Sequence, residues 1–377
     1  MTCNHPPVCS VRLRLLLGLL LVAPHFIVSA HASTRDWEVN GALDMAASSR
    51  SLALGTRDRG LGLGHSDVSA SGPLGAWLDA RFTIVGQTSD RRLETEMEEA
   101  WVQTSRLPAG LQLRAGRFFS QVGYLNEQHP HTDDFVQRPL LHRAFLGGHW
   151  SDNGLRLNWT APTETYMRLG LEVFQGRSLV REAAATGRPG ALTLSAKWGG
   201  DIGRSQGWQV GVSLLHNRRE AAVEEHEEAS GHDHGAAYSG RRMWLADLAW
   251  KWAPEGNNRR EQVRIAYEHA VVTGINRYAS SQDRHHAGYL SAVWRFAPTW
   301  EAGARIDVLR VRAPQDEGFT DGRLRESALM LAYKPGHAQT VRLQFTRQRD
   351  RGGFGDASRS VQLQYVMSFG HHAAHSF

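Results

Sequence analysis

Trp244-Leu245-Ala246-Asp247-Leu248-Ala249-Trp250-Lys251-Trp252 carries Trp, Ala, Leu, Trp and Trp at its even positions, while Asp247 and Lys251 fall at odd ones. A period of two sends successive side chains to opposite sides of a strand, so this stretch reads as a strand between two environments. The pattern recurs in Leu74, Ala76, Leu78, Ala80, Phe82 and Ile84, and in Leu192, Leu194, Ala196 and Trp198. It returns in Trp208, Val210, Val212 and Leu214, in Leu290, Ala292, Trp294 and Phe296, and in Val341, Leu343 and Phe345. The positions between include Arg264 and Glu268, Arg305 and Asp307, and Arg342 and Gln344. No segment holds a sustained helical period.

A soluble sandwich would alternate in the same way, and three features choose against it. Segments run about ten residues, the length that a tilted strand needs to cross a bilayer. Aromatic residues gather at segment ends, as in Trp250, Trp252, Trp294, Phe296 and Trp300, which suits interfacial girdles. Short connections (Gly72-Pro73, 107–110, 161–163, Ala297-Pro298, 334–336) alternate with long polar ones (119–145, 217–240, 272–285). The expected fold is therefore all-β, a transmembrane antiparallel barrel of about sixteen strands. They are expected near 37–45, 62–72, 74–85, 96–105, 110–118, 146–160, 165–175 and 190–198, then 207–216, 241–252, 260–271, 286–297, 299–311, 323–334, 339–349 and 359–369. An even count puts both ends in the periplasm.

The first residues carry an address. Arg12 and Arg14 lead into the apolar run Leu15–Val22, and Ala30-His31-Ala32 supplies the small-x-small pattern of a cleavage site. Residues 1–32 are expected to be a secretory signal peptide and 33–377 the barrel. Cys3 and Cys9, the two cysteines of the chain, both fall in the signal. At the other end Val361, Leu363, Tyr365, Met367 and Phe369 alternate in phase with Phe377. An amphipathic last strand with a terminal Phe resembles the signal read by the outer-membrane assembly machinery, although His371, His372 and His375 interrupt its aromatic run. The expected location is the bacterial outer membrane, among its lipids, and such a barrel admits a homotrimer.

Composition removes other classes. The 377 residues are 41% hydrophobic, too many for disorder, and two cysteines cannot make a disulfide scaffold. With 43 Lys+Arg against 38 Asp+Glu spread along the chain, no nucleic-acid partner is expected. Past residue 30 no apolar run approaches the roughly 20 residues of a membrane helix.

The stretch Glu98-Glu99-Ala100-Trp101-Val102-Gln103, with 107–118 after it, resembles the hairpin before the constriction loop of phosphate-selective-porin-like barrels. The resemblance implies sixteen strands and a third external loop, 119–145, folded into the pore. The block 115–129, together with the His-rich C-terminal end, is similar to uncharacterised His-rich proteobacterial outer-membrane proteins described as zinc-regulated.

Histidine supplies the available chemistry. In the long loop 217–240, His226, His232, Asp233 and His234 offer neutral imidazole and carboxylate, a donor set suited to Zn²⁺, Ni²⁺ or Cu²⁺. A solvated acidic loop would have the same composition. The pore loop holds Glu127, His129, His131, Asp133, Asp134 and His142, an acid-and-imidazole set that would favour divalent cations. Arg117 and Arg138 beside them would instead give the transverse field of a general porin. His371, His372 and His375 form a third set at the periplasmic rim, where they would hand metal inward or merely decorate the last strand. The sequence reads as a passive channel linked to zinc or divalent-metal uptake, without a resident cofactor and with Zn²⁺ bound only in passing. Its alternatives are a general or anion-selective porin and, from other classes, an outer-membrane enzyme or an adhesive barrel. No His-Glu-x-x-His, Gly-x-Ser-x-Gly or P-loop motif supports an enzyme.

Overall fold

The computed structural model describes residues 36–370 except 90, 106, 180–188, 219–236, 276–278, 281, 316–317 and 356–358. The signal segment, His226, His232, Asp233, His234, His371, His372, His375 and Phe377 lie outside the described residues. Sixteen antiparallel strands form one closed sheet. They are β1 (Glu38–Ser48), β2 (Gly60–Leu63 continued by Ser66–Leu74), β3 (Leu78–Ser89), β4 (Arg92–Thr104), β5 (Leu111–Phe119) and β6 (Ser151–Thr160). Next come β7 (Tyr166–Phe174), β8 (Ala191–Ile202), β9 (Gln206–Asn217), β10 (Arg242–Trp252) and β11 (Gln262–Thr273). The last are β12 (Arg284–Ala297), β13 (Trp300–Gln315), β14 (Gly318–Gly336), β15 (Gln339–Arg351) and β16 (Arg359–Phe369). The ring closes where β1 pairs with β16, from Gly41 opposite Phe369 to Ser48 opposite Gln362. Closure leaves no strand edge unpaired, which a bilayer core requires.

The faces are reversed relative to a soluble barrel. Leu157, Leu171, Leu194, Trp244, Leu290, Leu329 and Leu343 are exposed on the outside, whereas their strand neighbours Arg156, Glu172, Thr193, Ser195, Glu326, Arg342 and Gln344 are buried inside. Lipid covers the apolar face and the polar face turns inward. Aromatic pairs gather at the ends with short turns: Trp300 lies 4.9 Å from Tyr333, and Trp198 lies 5.2 Å from Trp208, between ring centroids. Chain direction puts both described ends of the sheet on that side.

Two local expectations are corrected. Gly72-Pro73 is not a turn; β2 runs on to Leu74 and reverses at residues 75–77. The partner β1 ends opposite Ser71, so a proline at 73, lacking an N–H, costs no ladder bond on that side. Residues 146–150 do not open β6. Gly147 and Gly148 have φ of 62° and 94°, a left-handed backbone that breaks extended structure. Before them stands a six-residue helix, α1 (Leu140–Phe145), all of it buried and too short to show a helical period in the sequence.

Candidate functional site: an imidazole–carboxylate nest beside the lumen

Two β-bulges build the site. Leu63 pairs with Met45 and Asp67 with Ala42, so β2 spends one residue more than β1 between those pairs. The extra residue changes the phase of the strand. Leu61 faces outward, and in an uninterrupted strand His65 would follow it. Instead His65 is buried with Asp67 and Ser69. The second bulge lies across β3, in β4: Thr83 pairs with Glu99 and Ile84 with Met97, which leaves Glu98 between them without a partner. Successive side chains of a regular strand part to opposite faces, yet Glu98 and Glu99 are both buried.

The segment between β5 and β6 completes the nest. His129 leads into a 3₁₀ turn (Pro130–Thr132), where proline fixes the first dihedral and the Thr132 hydroxyl donates to the His129 carbonyl at 2.8 Å. This turn stacks His129 on His131, 5.6 Å between centroids. The Gly147-Gly148 reversal then delivers His149. His65 Nε2 and His149 Nε2 lie 2.5 and 2.7 Å from Glu98 Oε1, and His129 Nδ1 lies 3.3 Å from Glu98 Oε2. His129 Nε2 is 3.3 Å from Glu99, and His131 Nδ1 is 2.7 Å from Asp67. His65, Glu98 and His129 bring their donor atoms within 4.8 Å of one another, and so do His65, Asp67 and His131. His65 Nδ1, His129 Nδ1 and Glu98 Oε2 are buried without a hydrogen bond. Burial works against a charged His129, but the Glu98 and Glu99 carboxylates outweigh it and hold its pKa up at about 10.

The same segment is bonded to polar side chains on the inner face of many strands. Ser120 donates to Glu172, Leu140 N to Asp307, Val136 N to Gln344, and Lys197 Nζ to the Gly123 carbonyl. His142 is fully buried against Glu268, and Glu127 is held by Arg168 and Lys197. Asp134 pairs with Arg264 at 2.6 Å, which, against the cost of burial, keeps its carboxyl below the usual range. On its apolar side Leu140, Leu141, Ala144 and Phe145 join a core with Leu215, Met243, Leu245, Ala270, Val272, Leu309 and Leu324.

Two cavities flank this segment among the described residues. The outer one, about 550 Å³, touches His65, His149, Arg57, Arg117, Arg143 and Arg177. The inner one, about 230 Å³, touches Asp134, Lys251, Arg264 and Lys334. Both are lined by Asp133 and Arg138, whose side chains pair at 2.8 Å and so form the partition between them.

Of the residues singled out in the sequence, Asp133, Asp134, Arg117 and Arg138 line these cavities, and His129 and His131 stand in the nest beside them. Glu127 and His142 are tied into the wall and line neither cavity. Sequence reasoning missed His65, Asp67, Glu98, Glu99 and His149. The adjacent Glu98-Glu99 inside an alternating strand was the one local sign of a bulge.

No family model matches the chain. An uncharacterized protein of Aquifex aeolicus (strain VF5) is 25% identical over 343 residues, which are 85% of this chain and 70% of that one. Among solved structures, a loop-deletion mutant of OmpT, an outer membrane protein of Vibrio cholerae, superposes with a TM-score of 0.61 at 9% identity over 89% of this chain and 100% of that one. The outer membrane channel DcaP of Acinetobacter baumannii gives 0.57 at 13%, over 90% and 99%. An anion-selective porin from Comamonas acidovorans gives 0.57 at 13%, over 89% and 100%. At such identities the likeness is one of fold. With its apolar exterior and closed sheet, the chain is a porin-like barrel of the bacterial outer membrane.

Proposed function

We propose that this protein is a passive outer-membrane channel for small solutes, coupled to uptake of zinc or a similar divalent cation. The nest carries the reading: four imidazoles converge on three buried carboxylates at the wall of the outer cavity. Nitrogen and carboxylate donors without thiolate suit Zn²⁺, Ni²⁺ or Cu²⁺. The cation is cargo here, not a structural element. A cation must displace the proton held on His129 before that imidazole can ligate, so binding is loose and reversible, as passage demands. From His65 and His149 the route onward leads past Asp133 and Arg138 to Asp134. His226, His232 and His234 would raise local metal concentration ahead of the nest. Folding would proceed through the assembly machinery reading Phe377. A trimer form exists of the Vibrio cholerae protein, and a homotrimer is the assembly proposed here.

The test is calorimetric titration of the detergent-purified barrel with Zn²⁺, Ni²⁺ and Cu²⁺, beside the His65→Ala/His131→Ala variant. Micromolar or weaker binding that the variant loses is expected, together with poor growth of a deletion strain under chelation, rescued by the same metal. Equal binding by the variant would refute the assignment. A second reading has its own observation. Arg117 and Arg177 border the outer cavity with no ion-pair partner among the described residues, as an anion path would need. A reversal potential favouring Cl⁻ over K⁺ would select that reading.

A further inference from the structure

The outer surface carries a patch of opposed arginines. In the cross-strand register Arg310 of β13 lies opposite Arg323 of β14, which in turn lies opposite Arg351 of β15. Arg325 lies opposite Arg349, and Arg347 lies opposite Arg359 of β16. All seven follow the outward phase. They share parity on their strands with the exposed Ile306, Leu329, Phe345 and Val361. Like charges directly opposite on a sheet are destabilising, and four such pairs in one patch need a counter-charge. Among the described residues the protein does not provide it. None of the seven makes an ion pair, and the nearby outward carboxylate, Asp321, is taken by Arg312 at 2.9 Å. Glu326, between Arg325 and Ser327, points inward and is buried.

Position narrows the identity of the missing anion. Arg347 is two residues above Phe345, Arg359 two above Val361, and Arg325 four above Leu329, or about 13 Å along the strand. The patch therefore caps the apolar band at the end with the long connections, where headgroups begin. Beside Arg310 the outer face holds a groove of about 400 Å³, walled by Tyr267, Leu290, Ile306 and Val308. Gly288 keeps it open, since a Cβ there would come within 2.9 Å of His269. An apolar groove leading up to a guanidinium matches an acyl chain below an anionic headgroup. Guanidinium grips phosphate through two parallel N–H donors, which a sugar hydroxyl cannot match, and at headgroup depth the anion that lipid itself supplies is phosphate.

We propose that this arginine patch binds the phosphate-bearing headgroups of the lipid around the external rim, with an acyl chain lying in the groove next to Arg310. The site is independent of the nest and of what the channel conducts. To test it, the barrel is placed in phosphatidylcholine nanodiscs doped with bis-phosphorylated lipid A or with the same lipid stripped of phosphates. Lipid retained on the protein is then measured by native mass spectrometry. About tenfold or greater preference for the phosphorylated form is expected, falling as salt rises. The Arg323→Gln/Arg325→Gln/Arg349→Gln/Arg351→Gln variant should lose that preference. The matching Arg→Lys variant, which preserves charge and folding but not the paired donors, should keep part of it. Equal retention of both lipid forms, unchanged preference in the Gln variant, or displacement by millimolar inorganic phosphate would overturn the proposal.

Discussion

The segment between β5 and β6 meets the barrel on two walls that differ in kind. Toward β9–β14 it presents Leu140, Leu141, Ala144 and Phe145 to inward Leu215, Met243, Leu245, Ala270, Leu309 and Leu324, an apolar contact flanked by the buried pairs His142–Glu268 and Arg143–Glu326. Toward β2–β4 it presents His129, His131 and His149 to Asp67, Glu98 and Glu99. Apolar burial needs no fine alignment and contributes on the order of 1.5–3 kcal/mol for each large side chain. Buried charges contribute only if geometry is good and every partner is present. The comparison teaches a division of work. One wall anchors the segment, and the other, bent by two bulges, gathers ionisable side chains.

The largest effect should come from the anchoring wall. Replacing Leu140 and Leu141 by Ala should cost about 2–5 kcal/mol each and free the segment, so single-channel conductance rises and unfolding by heat comes earlier. Unchanged conductance would mean that the apolar contact does not hold the segment. Next is the bulge in β2. Deleting Ser66 removes the extra residue and leaves His65 two places from Leu63, in the outward phase; zinc titration should then show a loss at least as large as that of His65→Ala. Equal affinity after the deletion would show that phase is not what delivers this ligand.

The partition should give an intermediate effect of predictable sign. Asp133→Asn leaves Arg138 uncompensated between the cavities and should shift the reversal potential toward anions, whereas Arg138→Gln should shift it toward cations. A subtler effect lies in pH. His129 is raised from 6.5 to about 10 in the folded state, so its contribution to stability is complete below about 6.5 and disappears as pH rises through about 10. His129→Gln should lower thermal stability below about 6.5 and flatten the profile between there and about 10, so that the two proteins converge on the alkaline side. The smallest effect is expected for joint replacement of His226, His232 and His234 by Ala. Metal capture should weaken, and K⁺ and Cl⁻ conductance should remain as in the wild type.

The sequence by itself determined the class of the molecule. Alternation is a local property, read two residues at a time, and it placed the strands from Glu38 to Phe369 within a few residues of their true limits. Connection lengths showed where the sheet reverses, and the polar stretch after β5 supplied Asp133 and Asp134, which line the two cavities. Only the tertiary structure decided the nest. A bulge is a mismatch between two strands, so the phase of His65 depends on where Asp67 pairs with Ala42, and the shared inward face of Glu98 and Glu99 depends on how Thr83 meets β4. Neither register is written in β2 or β4 alone. His149 reaches the same carboxylates only because Gly147 and Gly148 turn the chain, and the Asp133–Arg138 partition exists only because α1 is packed against the far wall.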